Sequence, residues 1–164
     1  MTHKNAFTAE ELYLLWKAPN TIAVAIMTAH PGGLLAEMVA SVKSVTTARD
    51  IYPSELMQSI LTIEQSEADQ FSERIKAEAA QRGAQTPDDV LAMAISDVRL
   101  ALGVLRQKAQ PIETQEYQHM LIEHAEKVAQ AGKEGGFLGI GGVRVTEAEE
   151  RVLAEIRLAV NRVR

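Results

Sequence analysis

The sequence predicts an all-α protein: an irregular antiparallel bundle of five or six helices, with a Gly-rich apolar turn before the last helix. Apolar residues recur at helical spacing over most of the chain. The five prolines stand where helices could begin, because a proline at the first helical position loses no hydrogen bond. No segment of useful length alternates apolar and polar residues as a half-buried strand does. Hydrophobic residues make up 46% of the chain, so residues 1–164 are predicted to fold as a single helical domain.

Three helix-sized segments lie between residues 8 and 49. Thr8 and Glu11 have the spacing of a capping box, which begins a short helix through Trp16. Residues 20–29 are apolar on all sides and predict a buried helix. The third helix is predicted from one apolar stripe. Its members are Leu34, Met38, Val42 and Val45.

Two longer helices are predicted next. Residues 54–81 are expected to form one helix whose apolar stripe also contains Glu64. A strong start signal follows, with Thr86 as the N-cap, Pro87 at the first helical position and two acids behind it. The helix over residues 87–107 carries apolar residues on two sides. We therefore expect it to be central in the bundle or to form a subunit contact.

The last two helices flank the Gly-rich turn. The helix from residue 112 to about 133 places His124 in its apolar stripe. Thr146 and Glu149 form a second capping-box pattern, which begins the final helix.

Charge and composition exclude several kinds of function. A net charge of -5 without a basic cluster argues against binding to nucleic acid or to anionic lipid. The absence of cysteine excludes disulfides, thiol nucleophiles and cysteine-ligated zinc. The sequence shows no secretory signal, and its longest apolar run is far shorter than the ~20 residues of a spanning helix. We expect a cytoplasmic protein outside the membrane.

Six of the ten glycines lie between Gly132 and Gly142. Gly135 and Gly136 fit the left-handed cap that ends a helix. The apolar side chains around them indicate that this turn packs against the bundle or a partner. Glu134 would lie at the negative end of its helix, so we expect a cationic partner, and Arg144 is the nearest in sequence. The cluster that we single out here comprises Glu134, Gly135, Gly136, Phe137, Leu138, Gly139, Gly141, Gly142 and Arg144.

Phosphate binding is the less favoured interpretation of this turn. No Lys-Ser or Lys-Thr follows the glycines, as the P-loop requires. Arg144 stands where the dinucleotide-binding pattern would need a further glycine, and a helix instead of a strand precedes the segment. A tight turn with close helix packing is expected instead.

The segment KEGGFLGIGGVRVTEAE resembles the C-terminal signature of a family of short, uncharacterised bacterial helical proteins. The segment FTAEELYLLWKAPNTIAVAIMTAHPGGLLAEM is similar to the opening of the same family, including a glutamate after the glycine turn, here Glu37. The resemblance covers both ends of the chain. It implies a helical fold and no particular activity, substrate or cofactor.

Metal or acid-base chemistry depends on a few candidate residues. Glu116 and His119 form one ExxH pattern, whereas di-iron bundles use two, and both residues are expected to face solvent. Glu64 and His124 are predicted to face inward, where they could form a ligand pair or an acid-base pair. A hydrogen-bonded core histidine is the commoner case, so no metal site is predicted.

Two classes of function remain open from the sequence. We favour a non-enzymatic interaction or scaffold module that forms a homo-oligomer or docks a protein partner through the glycine-rich turn and the helix over residues 87–107. The alternative is a small-ligand or metal-dependent enzyme with a pocket between helices. Its candidate residues are Glu37, Glu64, His124 and the pair of Glu134 with Arg144. Neither a catalytic residue nor a cofactor can be assigned from the sequence.

Overall fold

Helices account for most of the structure, a computed structural model that describes residues 2–29, 34–131 and 145–162. Within these ranges there are seven α-helices and no strand, so the all-α prediction is confirmed and the predicted number of five or six helices was too low. The glycine-rich turn lies outside the described residues. The helices are α1 (Ala9–Ala29), α2 (Leu34–Ile51), α3 (Glu55–Leu61), α4 (Gln65–Gln81), α5 (Pro87–Lys108), α6 (Pro111–Ala131) and α7 (Glu147–Arg162).

Helix α1 runs through Pro19 without a break, so the two helices predicted between residues 8 and 29 are one. Proline has no N–H, which leaves the carbonyl of Leu15, four residues earlier, without its helical donor. Helix α6 supplies a replacement, because the Tyr117 hydroxyl donates to the Leu15 carbonyl at 2.6 Å. A donor from a neighbouring helix therefore keeps α1 continuous.

The single helix predicted over residues 54–81 is two helices, α3 and α4. Ser54 caps α3, where its hydroxyl accepts from the amide of Met57. Thr62 and Glu64 then adopt extended backbone conformations between the two helices. Thr62 and Ile63 are β-branched and have low helix propensity, which favours the break at this point.

Helix α5 lies against α1, α6 and α7. It begins at the predicted N-cap, Thr86, whose hydroxyl accepts from the Asp89 amide, and the Asp89 carboxylate accepts from the Thr86 amide, so that the two residues form a capping box. Both of its apolar sides are largely covered, with the exception of Leu100. The predicted box at Thr146 and Glu149 likewise begins α7.

Helix α2 packs mainly against α6, and the predicted apolar stripe is divided: Val45 packs against the core, whereas other members lie at the surface. Met38 and Val42 are exposed, whereas Glu37, Ser44 and Ala48 are buried. The polar and small residues thus point inward. No helix within the described ranges is long and apolar enough to cross a membrane.

Candidate functional site

A buried ion cluster joins three helices at one point. Lys17 of α1 lies with its Nζ atom 2.5 Å from Oε2 of Glu78 on α4 and 2.9 Å from Oδ1 of Asp97 on α5. The side chains of Lys17 and Asp97 are 1% and 0% exposed, and that of Glu78 is 22% exposed. Because a buried charge without a partner is very costly, this pairing accounts for the presence of Lys17 in an otherwise apolar part of α1.

Glu78 is the most heavily bonded member of the cluster. Besides Lys17, it accepts from the Tyr13 hydroxyl at 3.2 Å and from Nε of Arg74 at 3.0 Å. Burial would raise the pKa of the Glu78 carboxyl, but the hydrogen bond and charge of Lys17, with Arg74 and Tyr13, outweigh it and lower this pKa. Glu78 is therefore a carboxylate at neutral pH.

Asp97 is held by charge more than by hydrogen bonds. Its contact with Lys17 has the distance of an ion pair, although neither carboxylate oxygen has a hydrogen-bond partner of good geometry among the described residues. Nη1 of Arg82 lies 3.8 Å from the same Oδ1 atom. Burial, together with the negative charge of Asp97, raises the pKa of the nearby Tyr117 hydroxyl, which remains a proton donor.

His124 is buried, as predicted, and contacts the backbone of α1. Its Nε2 atom lies 3.0 Å from the Pro19 carbonyl. A carbonyl can only accept, so Nε2 carries the proton. Burial, with a smaller effect of the Lys127 charge, lowers the pKa of His124 to about 4 despite the opposing hydrogen bond. His124 is thus a neutral core residue that supports the proline region of α1.

The other predicted candidates separate into three groups. Glu64 was expected to face inward, and this was wrong: it is exposed at the N-cap of α4, where the new helix begins. It cannot form a buried pair with His124. Glu37 is fully buried in the first turn of α2. The candidates between Glu134 and Arg144 lie outside the described residues.

The second candidate site is the outer face of α2, formed by Met38, Val39 and Val42. These side chains are 52%, 62% and 70% exposed. Their spacing of i, i+1 and i+4 places them together on one side of the helix. Scattered exposed apolar residues are normal on proteins, but three adjacent ones on a helix that buries Glu37 and Ser44 form a distinct surface.

Sequence reasoning missed the Lys17 cluster. The available signal was a lone charge inside an apolar helical pattern, repeated with opposite sign in a second helix: Lys17 in α1 and Asp97 in α5. Such a pattern indicates a buried pair, but it does not show that Glu78 of a third helix completes it.

No protein-family model, curated protein or solved structure gives a significant match to this chain. Among the described residues, no group of three or more His, Asp or Glu side chains has an arrangement that could hold a metal ion.

Proposed function

We propose that this protein is a non-enzymatic interaction module that self-associates through the outer face of α2. The observation that carries the proposal is that α2 buries Glu37 but exposes three adjacent apolar residues, Met38, Val39 and Val42. A helix at a protein surface normally turns its apolar side toward the core. The exposure of these three apolar residues is explained if a second surface covers the outer face in the working protein.

The free energy gained by burying these apolar side chains supports such a contact. Burying one valine or methionine side chain fully is worth about 1.5 to 3 kcal/mol. Three adjacent side chains, matched by three from a partner, supply a substantial apolar centre for an interface. Covering the outer face of α2 with a partner is therefore energetically more favourable than leaving it exposed to water.

A second copy of the chain is the partner that this face fits best. In a two-fold symmetric interface, the same surface patch of each copy meets that of the other. A patch of one charge therefore repels its own copy, whereas an uncharged patch does not. Between residues 38 and 46 the only charged side chain is Lys43. The three side chains that form the face are themselves uncharged, so a second copy meets them without charge repulsion as long as Lys43 stays at the edge of the contact.

Light scattering coupled to size-exclusion chromatography tests this proposal directly. The wild type is expected to show a concentration-dependent shift from monomer to dimer. Val42→Lys places a charge at the centre of the outer face and is expected to weaken dimerisation by at least about tenfold, or about 1.4 kcal/mol.

The matched control is Ile112→Lys on α6. Ile112 is another exposed apolar residue, at 61% exposure, and it lies outside the outer face of α2. This variant should dimerise like the wild type. A wild type that stays monomeric at high concentration, or a Val42→Lys dimer of unchanged stability, would show that the outer face is not the interface.

A further inference from the structure

A small pocket lies where the turn between α2 and α3 meets the start of α6. Its volume is about 280 Å³. This is just below the roughly 300 Å³ at which the usual range of small-molecule pockets begins. The described residues that line it are Pro53, Ser54, Gln110, Ile112, Glu113 and Glu116. The pocket is therefore large enough for a small organic molecule, and it is separate from the buried ion cluster around Lys17.

The lining of the pocket is mostly apolar. Pro53 and Ile112 supply apolar side chains, and both are exposed to water. A ligand with an apolar body would cover these side chains and gain the free energy of removing them from water. The lining thus favours an organic ligand over a bare ion.

Glu113 is the first of two acids in the lining, and its hydrogen bonds are satisfied by the protein. Its carboxylate accepts from the Thr2 amide at 2.7 Å, from the Thr2 hydroxyl, and from the Gln110 amide at 2.9 Å. Glu113 also lies in the first turn of α6, where a negative charge offsets the positive end of the helix. Its charge is therefore balanced without a ligand.

Glu116 is the second acid, and its charge is not balanced in this way. The side chain is half-buried, and its Oε2 atom is buried without a hydrogen-bond partner among the described residues. Of the described residues that line the pocket, none is basic. Burial raises the pKa of the neighbouring Tyr52 to about 12, and the charges of Glu123 and Glu116 add to this effect. The pocket thus combines an apolar lining with negative charge.

We infer that this pocket binds a small organic cation, with its apolar body against Pro53 and Ile112 and its ammonium group beside the carboxylate of Glu116. Ile112 and Glu116 are four residues apart on one side of α6, so one short ligand can contact both. Charge complementarity selects the cation, because two carboxylates repel an anion and a neutral molecule leaves the charge of Glu116 unbalanced. The site lies outside the outer face of α2 and does not depend on self-association.

Binding of phenethylamine to the full chain, followed by NMR, tests this inference. This amine is protonated at neutral pH and carries one apolar ring on a short chain. The amide signals of Ile112 and Glu116 should shift as the amine is added, and the shifts should saturate. Phenethyl alcohol has nearly the same size without the charge, so it should bind at least about tenfold more weakly.

Two variants locate the contact. Glu116→Gln keeps the size of the side chain and removes its charge, so it should weaken amine binding at least about tenfold and leave binding of the alcohol unchanged. A purely structural effect would weaken both probes. Ile112→Lys places an ammonium group four residues from Glu116 within the chain itself and should exclude the amine. It keeps the test decisive if Glu116→Gln does not fold.

The matched control is Glu155→Gln, which removes an exposed acid of α7 that does not line the pocket. This variant should bind the amine like the wild type. Equal affinity of the wild type for the amine and the alcohol would overturn the inference. So would unchanged amine binding by Glu116→Gln or Ile112→Lys, or the absence of any shift at the Ile112 and Glu116 amides.

Discussion

The hydroxyl of Tyr117 donates a hydrogen bond to the carbonyl of Leu15 at a distance of 2.6 Å. This carbonyl is the one that Pro19 leaves without a partner inside α1, because proline has no N–H. Both groups are buried, so the bond from α6 compensates for a defect in the middle of α1.

The first prediction concerns this compensation. Tyr117→Phe leaves the Leu15 carbonyl without its donor and should lower the free energy of unfolding by about 1 to 3 kcal/mol, as measured by urea denaturation. In a Pro19→Ala background the helix supplies its own donor, and the same substitution should cost clearly less. Equal effects in the two backgrounds would mean that Tyr117 does not act through the proline defect.

The second prediction concerns pH and His124. Its pKa is about 4 in the folded protein and 6.5 ordinarily, so the unfolded chain binds more protons between these values. The stability that a neutral His124 contributes is therefore fully present above pH 6.5 and declines as the pH falls toward 4. The total loss should be about 3 kcal/mol.

Urea denaturation at several pH values measures this dependence. Carboxylates also titrate at the acid end of the pH range, so the contribution of His124 is isolated by comparing variants. His124→Gln should flatten the profile between pH 6.5 and 5. His119→Gln alters an exposed histidine of the same helix and should keep the wild-type profile. If His124→Gln keeps the wild-type dependence of the unfolding free energy on pH, then that dependence comes from other groups.

The third prediction concerns the buried ion cluster. Lys17→Met leaves Asp97 buried without its main counter-charge and should destabilise the fold by about 3 to 5 kcal/mol. The double variant Lys17→Met/Asp97→Leu removes both charges and should recover much of that loss in urea denaturation. If the double variant is as unstable as the single one, then the unpaired charge is not the cause.

Local signals in the sequence predicted local structure well. The N-cap predicted at Thr86 and the capping box predicted at Thr146 with Glu149 are both formed, because all of their partners lie within four residues. The continuity of α1 through Pro19 could not be predicted in the same way, since the compensating donor, Tyr117, is about a hundred positions away.

The candidate sites depended even more on tertiary packing. The spacing of apolar residues in α2 shows that Met38 and Val42 share a face of the helix, but it does not show which face meets the core. The Lys17 cluster is assembled from three helices, so no spacing within one segment encodes it. Glu64 seemed to continue an apolar stripe only because the end of α3 was not visible in the pattern.

The most direct test of self-association through α2 is a cross-linking measurement, which the absence of native cysteine makes unambiguous. Val42→Cys and Ile112→Cys each introduce one thiol at an exposed apolar position. With a short bismaleimide reagent, our account predicts a covalent dimer of Val42→Cys at concentrations where Ile112→Cys remains monomeric. Equal cross-linking of the two variants, or none in either, would contradict an interface at the outer face of α2.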